Sequence, residues 1–145
     1  MPMNRARAII IQCGSIALIE RRRDGIVYYV FPGGKIEQGE RPEDAVIREV
    51  QEELGLEIRV QRLVAMVDHG DIVNYYFVVE IVGGSFGTGT GPEVRGLYPP
   101  EHGTYHPLWL PLSELCACNV RHRQVADLVL SAQVKGWPDQ PVEYS

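Results

Sequence analysis

The order of apolar and polar positions divides the chain into strand-like and helix-like segments separated by Gly- and Pro-marked turns. Residues Ala6 to Glu20 read as strand: Ala8-Ile9-Ile10-Ile11 is an apolar run, which Ser15-Ile16-Ala17-Leu18-Ile19 resumes after a turn or bulge at Gly14. Arg21-Arg22-Arg23-Asp24-Gly25 supplies turn chemistry before a β-branched and aromatic strand from Ile26 to Phe31, which Pro32-Gly33-Gly34 ends. From Pro42 to Leu54 the period changes. Val46, Val50 and Leu54 recur at i, i+4 and i+8, Pro42 suits a first turn and Gly55 a C-terminal cap, so a helix is predicted there.

Leu56 to Val67 and Ile72 to Val82 return to strand, the second alternating imperfectly, as expected of a strand covered on both faces. The Gly-rich stretch 83–91 and the Pro-rich stretch after it, to Gly103, predict a long loop that serves as a flexible connection or a substrate lid. Tyr105 to Leu110 predicts another strand. Asn119 is the predicted cap of a last helix, with Val125, Leu128, Val129 and Ala132 inward and its end at Gly136. No repeat or linker interrupts this order, and one domain over residues 1–145 is expected.

Composition narrows the partners. With 45% hydrophobic and 23% charged residues the chain is ordinary for a globular domain, but its net charge of -5 argues against a generic nucleic-acid or anionic-membrane surface, which needs clustered Lys and Arg. A phosphate ligand would need local compensation, which a divalent cation held by carboxylates provides. The apolar runs are far shorter than the ~20 residues a membrane helix needs, and no leader-like segment is visible, so a cytoplasmic protein is expected. Cys13, Cys116 and Cys118 lack zinc-site spacing and read as reduced, mostly buried thiols. The four histidines, His69, His102, His106 and His122, also lack metal-ligand spacing.

The predicted helix 42–54 carries the candidate chemistry. At ~100° per residue Glu49, Glu52 and Glu53 share one face, while Val46, Ile47, Val50 and Leu54 occupy another. Three carboxylates so spaced repel by roughly 0.2 to 0.5 kcal/mol per pair, which Arg48 offsets in part and a bound cation would offset for several at once. An acidic helix face alone is ordinary solvated surface. The surrounding residues change that reading, because Gly34-x5-Glu40-x7-Arg48-Glu49-Val50-x-Glu52-Glu53-x-Gly55-Leu56 is a complete pattern whose chance occurrence is on the order of 10⁻⁸ from average residue frequencies.

This pattern resembles the box that defines the Nudix hydrolase family, with Phe31-Pro32-Gly33-Gly34 similar to its usual entry. The resemblance implies an α/β fold, a mixed β-sheet sandwiched between helices, and Mg²⁺-dependent cleavage of the phosphoanhydride bond in a nucleoside diphosphate linked to another group or in a nucleoside triphosphate. Mn²⁺ is an expected substitute. It further implies metal ligation by Glu49, Glu52, Glu53 and the Gly33 carbonyl, with Arg48 and Glu40 as orienting partners. Glu49 is the first candidate for the proton acceptor and Glu53 the second. Glu93 and Glu101 are candidates for an extra ligand or base, Arg21, Arg22, Arg23 and Lys35 for phosphate contacts, and Tyr28, Tyr29, Tyr75, Tyr76 and Phe86 for stacking on base or ribose. Gly34, Gly39 and Gly55 are expected at positive φ. The alternative is a non-catalytic ligand-binding module on the same fold. The implied partner is a small nucleotide rather than a nucleic-acid polymer or a membrane, and a homodimer is a candidate assembly.

Overall fold

Alternation along the strands explains the layers. In β1 (Arg5–Ile9), Ala6 and Ala8 enter one core cluster and Ile9 the other; in β3 (Ser15–Arg23), Ile16 and Leu18 are separated in the same way from Ala17 and Ile19. A strand buried on both faces reads as a continuous apolar run, which is why these segments show little polar alternation. The computed structural model describes residues 3–92, 96 and 100–145.

The remaining strands are β2 (Ile11–Gln12), β4 (Ile26–Val30), β5 (Gly33–Lys35), β6 (Leu56–His69), β7 (Ile72–Gly84), β8 (Thr104–Pro111), β9 (Val120–Arg121) and β10 (Val142–Tyr144). They form two mixed sheets, one in the order β10-β6-β7-β1-β5 and one in the order β2-β3-β4-β9 with β8 on β3. The α/β sandwich expected from the sequence is present, with its strands divided between two sheets. Helix α1 (Pro42–Leu54) supplies Ala45, Val46, Val50 and Leu54 to one cluster, and α2 (Arg123–Lys135) supplies Val125, Ala126 and Val129 to the other. No helix among the described residues is long and apolar enough to cross a membrane.

Helix α1 has the predicted bounds because both its ends are locally encoded. The Asp44 carboxylate accepts from the Arg41 backbone N–H at 3.3 Å, and Gly55, at φ 76°, donates its N–H to the Gln51 carbonyl at 2.9 Å. The turn expected at Gly14 is present, with Cys13 and Gly14 at φ 52° and 76° turning β2 back on β3. Two expectations need correction, and β10 is a further strand. The last helix is capped by His122 rather than Asn119, because Val120 and Arg121 pair with β4 first. Strand β10 carried no clear period, as it is three residues long and held by pairing with β6. Cys13 and Cys116 are exposed and Cys118 is half-buried, since the first lies in a turn and the others in or beside the 3-10 turn Leu112–Ala117.

Candidate functional site

Strand β5 and the loop after it lie between β1 and α1, and their glycines are space requirements. Gly33 has φ 143°, and a Cβ there would lie 2.1 Å from the Ala6 carbonyl oxygen. At Gly34 a Cβ would fall 2.7 Å from the Glu49 carboxyl carbon; its φ is not positive, so the expected backbone reason gives way to a steric one. Bare backbone at 33–34 therefore lets the carboxylates of α1 approach the strand.

Glu53 shows the closeness of that approach. It is 6% exposed, and its Oε1 accepts from the Gly33 backbone N–H at 2.7 Å. Helical spacing alone placed Glu53 on a solvent-facing acidic side, whereas packing of α1 against β1 and β5 buries it. Glu49 and Glu53 line a cavity of about 470 Å³ together with Gly33, Gly34, Lys35 and Arg21. Glu52 is outside that lining and interacts with Arg48 Nη1 at 3.4 Å.

Arg48 joins the helix to the loop before it. Its Nε and Nη2 donate to the two Glu40 oxygens at 2.8 and 2.9 Å, Nη2 also donates to the Lys35 carbonyl at 3.0 Å, and Nη1 donates to Glu49 at 3.0 Å. Glu40 in turn accepts from the Glu37 backbone N–H at 2.9 Å. The guanidinium holds the Glu40 carboxyl below its ordinary pKa, and Glu40 in return raises that of Arg48.

The C-terminal end of α1 is held by the glycine-rich segment. Gly87 N–H donates to the Leu54 carbonyl at 2.9 Å and Gly91 N–H to the Glu52 carbonyl at 2.8 Å. A Cβ on Gly89 would lie 2.5 Å from the Glu52 and Glu53 carbonyl oxygens. Gly87, Gly89 and Gly91 strap the last helical turn, because helix-end carbonyls need donors and α1 has no basic residue in that turn. Gly89→Ala is expected to destabilise the protein by about 1 to 3 kcal/mol through this overlap. A thermal melt within a degree of native would contradict it.

Two arginines missed by the sequence reading complete the cleft. Arg5 and Arg7, on β1, line the same cavity, and Arg7 Nη1 donates to the Phe31 and Gly33 carbonyls at 3.1 and 3.4 Å. Burial lowers the pKa of Arg5 and the neighbouring Arg7 charge adds to the effect, while Glu49 opposes it. The signal available in the sequence was the Arg-Ala-Arg-Ala alternation at residues 5–8, with the alanines inward and the arginines on the opposite face. Arg21 is fixed by donating to the Thr104 and His102 carbonyls at 3.0 and 2.6 Å and by lying 3.6 Å over the Tyr105 ring.

A second lobe of about 280 Å³ shares Arg5, Arg7, Arg21 and Val30 with the first and continues to Tyr28, His69, Asn74, Tyr76, Arg121 and His122. Tyr29 is not in the described lining of either lobe: alternation along β4 sends Tyr28 to the cavity and Tyr29 to the Glu20 carboxylate, 3.2 Å from its hydroxyl. Tyr76 is 1% exposed and meets Phe31 edge to face, so it offers its hydroxyl end rather than a stacking face. Glu101 is exposed on the 3-10 turn Pro100–His102, and Glu93 lies outside the described residues.

Among the described residues no three His, Cys, Asp or Glu side chains are gathered closely enough to hold a metal ion as they stand. The donor chemistry nevertheless fits Mg²⁺. Glu49, Glu53 and the Gly33 carbonyl are hard oxygen donors on one cleft, Glu52 is one helical step away, and Mg²⁺ retains several waters rather than needing a full protein cage.

Comparison with known proteins agrees with this architecture. A NUDIX domain model matches residues 1–129. The chain is 32% identical over 88 residues to an ADP-ribose pyrophosphatase of Methanocaldococcus jannaschii, covering 56% of the chain and 52% of that relative. It is 73% identical over 26 residues to an 8-oxo-dGTP diphosphatase of Escherichia coli (strain K12), covering 18% and 20%. The matches thus span about half or less of these relatives' lengths. An ADP-ribose pyrophosphatase structure from Streptococcus suis 89-1591 superposes with a TM-score of 0.67 at 21% identity, covering 100% of both chains, which speaks to the fold.

Proposed function

The chain belongs to the Nudix family, and from that premise we propose that it is a Mg²⁺-dependent pyrophosphohydrolase acting on a nucleoside diphosphate linked to another group or on a nucleoside triphosphate. The observation that carries this reading is the cleft in which Glu49 and Glu53 meet the bare backbone at Gly33 and Gly34 and whose lining also includes Arg5, Arg7, Arg21 and Lys35. Carboxylates suit a cation, and the neighbouring cationic side chains suit a polyphosphate, so the lining of one cleft fits both halves of a metal–diphosphate complex. Two relatives named for ADP-ribose and for 8-oxo-dGTP support a diphosphate as the shared element.

In this mechanism Glu49, Glu52, Glu53 and the Gly33 carbonyl would hold Mg²⁺, which when bound would supply neutralisation of phosphoryl charge and make the attacking water easier to deprotonate. The chain's own residues do the rest. Lys35 and the three arginines fix the phosphates for in-line attack, and a Glu49 carboxylate oxygen accepts the proton of the attacking water. A bond forms between that water oxygen and phosphorus while the bridging P–O bond breaks, and the bridging oxygen leaves on the departing phosphate. Glu53 is the second candidate for the proton acceptor. Arg48 holds Glu49 in place by its hydrogen bond.

A panel of nucleoside triphosphates, nucleotide sugars, ADP-ribose and dinucleoside polyphosphates tests the reading. Turnover of at least one is expected with Mg²⁺, falling to background with EDTA and returning with added Mg²⁺ or Mn²⁺. Turnover that survives EDTA, or none across the panel, would overturn it.

A further inference from the structure

The second lobe offers hydrogen-bond donors and, among its described lining, no carboxylate. Asn74 is 4% exposed, and its Oδ1 faces Arg7 Nε at 3.5 Å. Because a guanidinium only donates, the atom facing it is the oxygen, and the amide NH₂ is left for the cavity. That NH₂ makes no hydrogen bond to a described residue, yet every fully buried side-chain polar atom among them has a partner, so the group keeps contact with the lobe.

His122 is set in a similar way. The Tyr76 hydroxyl lies 2.7 Å from His122 Nδ1. Tyr76 is almost fully buried, its hydroxyl hydrogen needs an acceptor, and Nδ1 is the one described for it; donation there leaves the proton of the neutral ring on Nε2. Burial pushes Tyr76 up to about 12 and His122 down to about 4, the latter helped by the nearby His69 and Arg7, so the hydroxyl is protonated and the ring neutral near pH 7. His69 lies 5.1 Å from His122, ring to ring.

We propose that this lobe reads the oxo edge of the substrate's base, with the Asn74 NH₂ and the His122 Nε2–H as the reading donors and Tyr76 as the positioning residue that fixes His122 as a donor. The inference rests on the proposed function for its diphosphate end. An acceptor-only group satisfies both donors, whereas an exocyclic amino group at the same place presents a donor to a donor and leaves them unpaired. The lobe is also walled by Tyr28, Val30 and Ile72, which suits a flat base better than a bare phosphate.

Inosine and adenosine nucleotides differ only in an oxo or an amino group at one ring position, so they isolate the claim. Titrating inosine diphosphate and adenosine diphosphate with Mg²⁺ against the slow Glu53→Gln variant is expected to give at least tenfold tighter binding of the inosine form. His122→Ala and Asn74→Asp, each added to that variant, should bring the ratio within about twofold while thermal melts report an intact fold. In the otherwise native enzyme, with inosine triphosphate, Tyr76→Phe should raise KM at least threefold and leave kcat unchanged. A change confined to kcat would mark Tyr76 as merely structural and overturn its assignment. Equal affinities, no binding of either nucleotide, or inorganic pyrophosphate weakened as much as inosine diphosphate by His122→Ala would overturn the base-reading proposal. Preferential inosine binding without turnover of any nucleotide would instead strike the proposed hydrolysis and leave the lobe's role standing.

Discussion

Glu53→Gln is expected to lower kcat by about 10²- to 10⁴-fold while the protein melts within a few degrees of native. The two outcomes separate because the residue has two duties. Its Oε1 accepts from the Gly33 N–H at 2.7 Å, and a glutamine oxygen can still accept that hydrogen, so the junction of β5 with α1 survives. What the substitution removes is a negative charge from a cleft lined by Glu49, Lys35, Arg5, Arg7 and Arg21. Loss of that charge weakens any cation held there and the alignment that depends on it. Rates measured against Mg²⁺ concentration decide the matter. Near-native turnover at every Mg²⁺ concentration would sink the assigned metal site, and a collapsed melt would show that the charge, rather than the hydrogen bond, holds the strand.

Arg48→Met is expected to cost about 2 to 3 kcal/mol of stability, or a melting temperature lower by about 5 to 10 °C, and to lower turnover as well. The guanidinium makes charge-assisted hydrogen bonds to Glu40, Glu49 and Glu52 and a fourth contact to the Lys35 carbonyl. Methionine keeps much of the stem's packing but leaves those carboxylates facing one another. Added Mg²⁺ should recover more stability in this variant than in the native protein, because a bound cation replaces part of the lost neutralisation. The acid limb of the stability profile should shrink. Glu40 is held below its ordinary value of 4.5 by Arg48, so its contribution is complete above that pH and is lost as the pH falls towards its lower folded pKa. Without Arg48 the larger part of that difference is gone, and the Glu37 N–H keeps the remainder. Melts from pH 3 to 7 would show it, and a variant with native stability and a native acid limb would refute the network's role.

The segment on which these two predictions stand was the most legible part of the sequence. Pro42, Gly55 and the spacing of Val46, Val50 and Leu54 act within one or two helical turns, so the bounds of α1 follow from local chemistry. Local reading failed where a partner distant in sequence decided the outcome. Asn119 looks like a cap, but pairing of Val120 and Arg121 with β4 carries the extended chain three residues further, to His122. Tyr28 and Tyr29 look alike as stacking aromatics, and only alternation along β4 sends Tyr28 to the cavity and Tyr29 to Glu20. The glycines of 83–91 suggest freedom, yet their small size lets backbone donors reach the last turn of α1.

The sequence by itself determined the family, the acidic helix and the spacing of Glu49, Glu52 and Glu53, because a helical period and a contiguous pattern are written in neighbouring residues. Tertiary structure alone decided that Glu53 is buried against Gly33 and that Arg5 and Arg7 share the cleft with Glu49 and Glu53. It also brought Asn74 and His122 to one lobe across 48 residues of chain. The reason is that β1 pairs with both β5 and β7, and strand adjacency is set by burial of two opposite sheet faces rather than by any local run of residues.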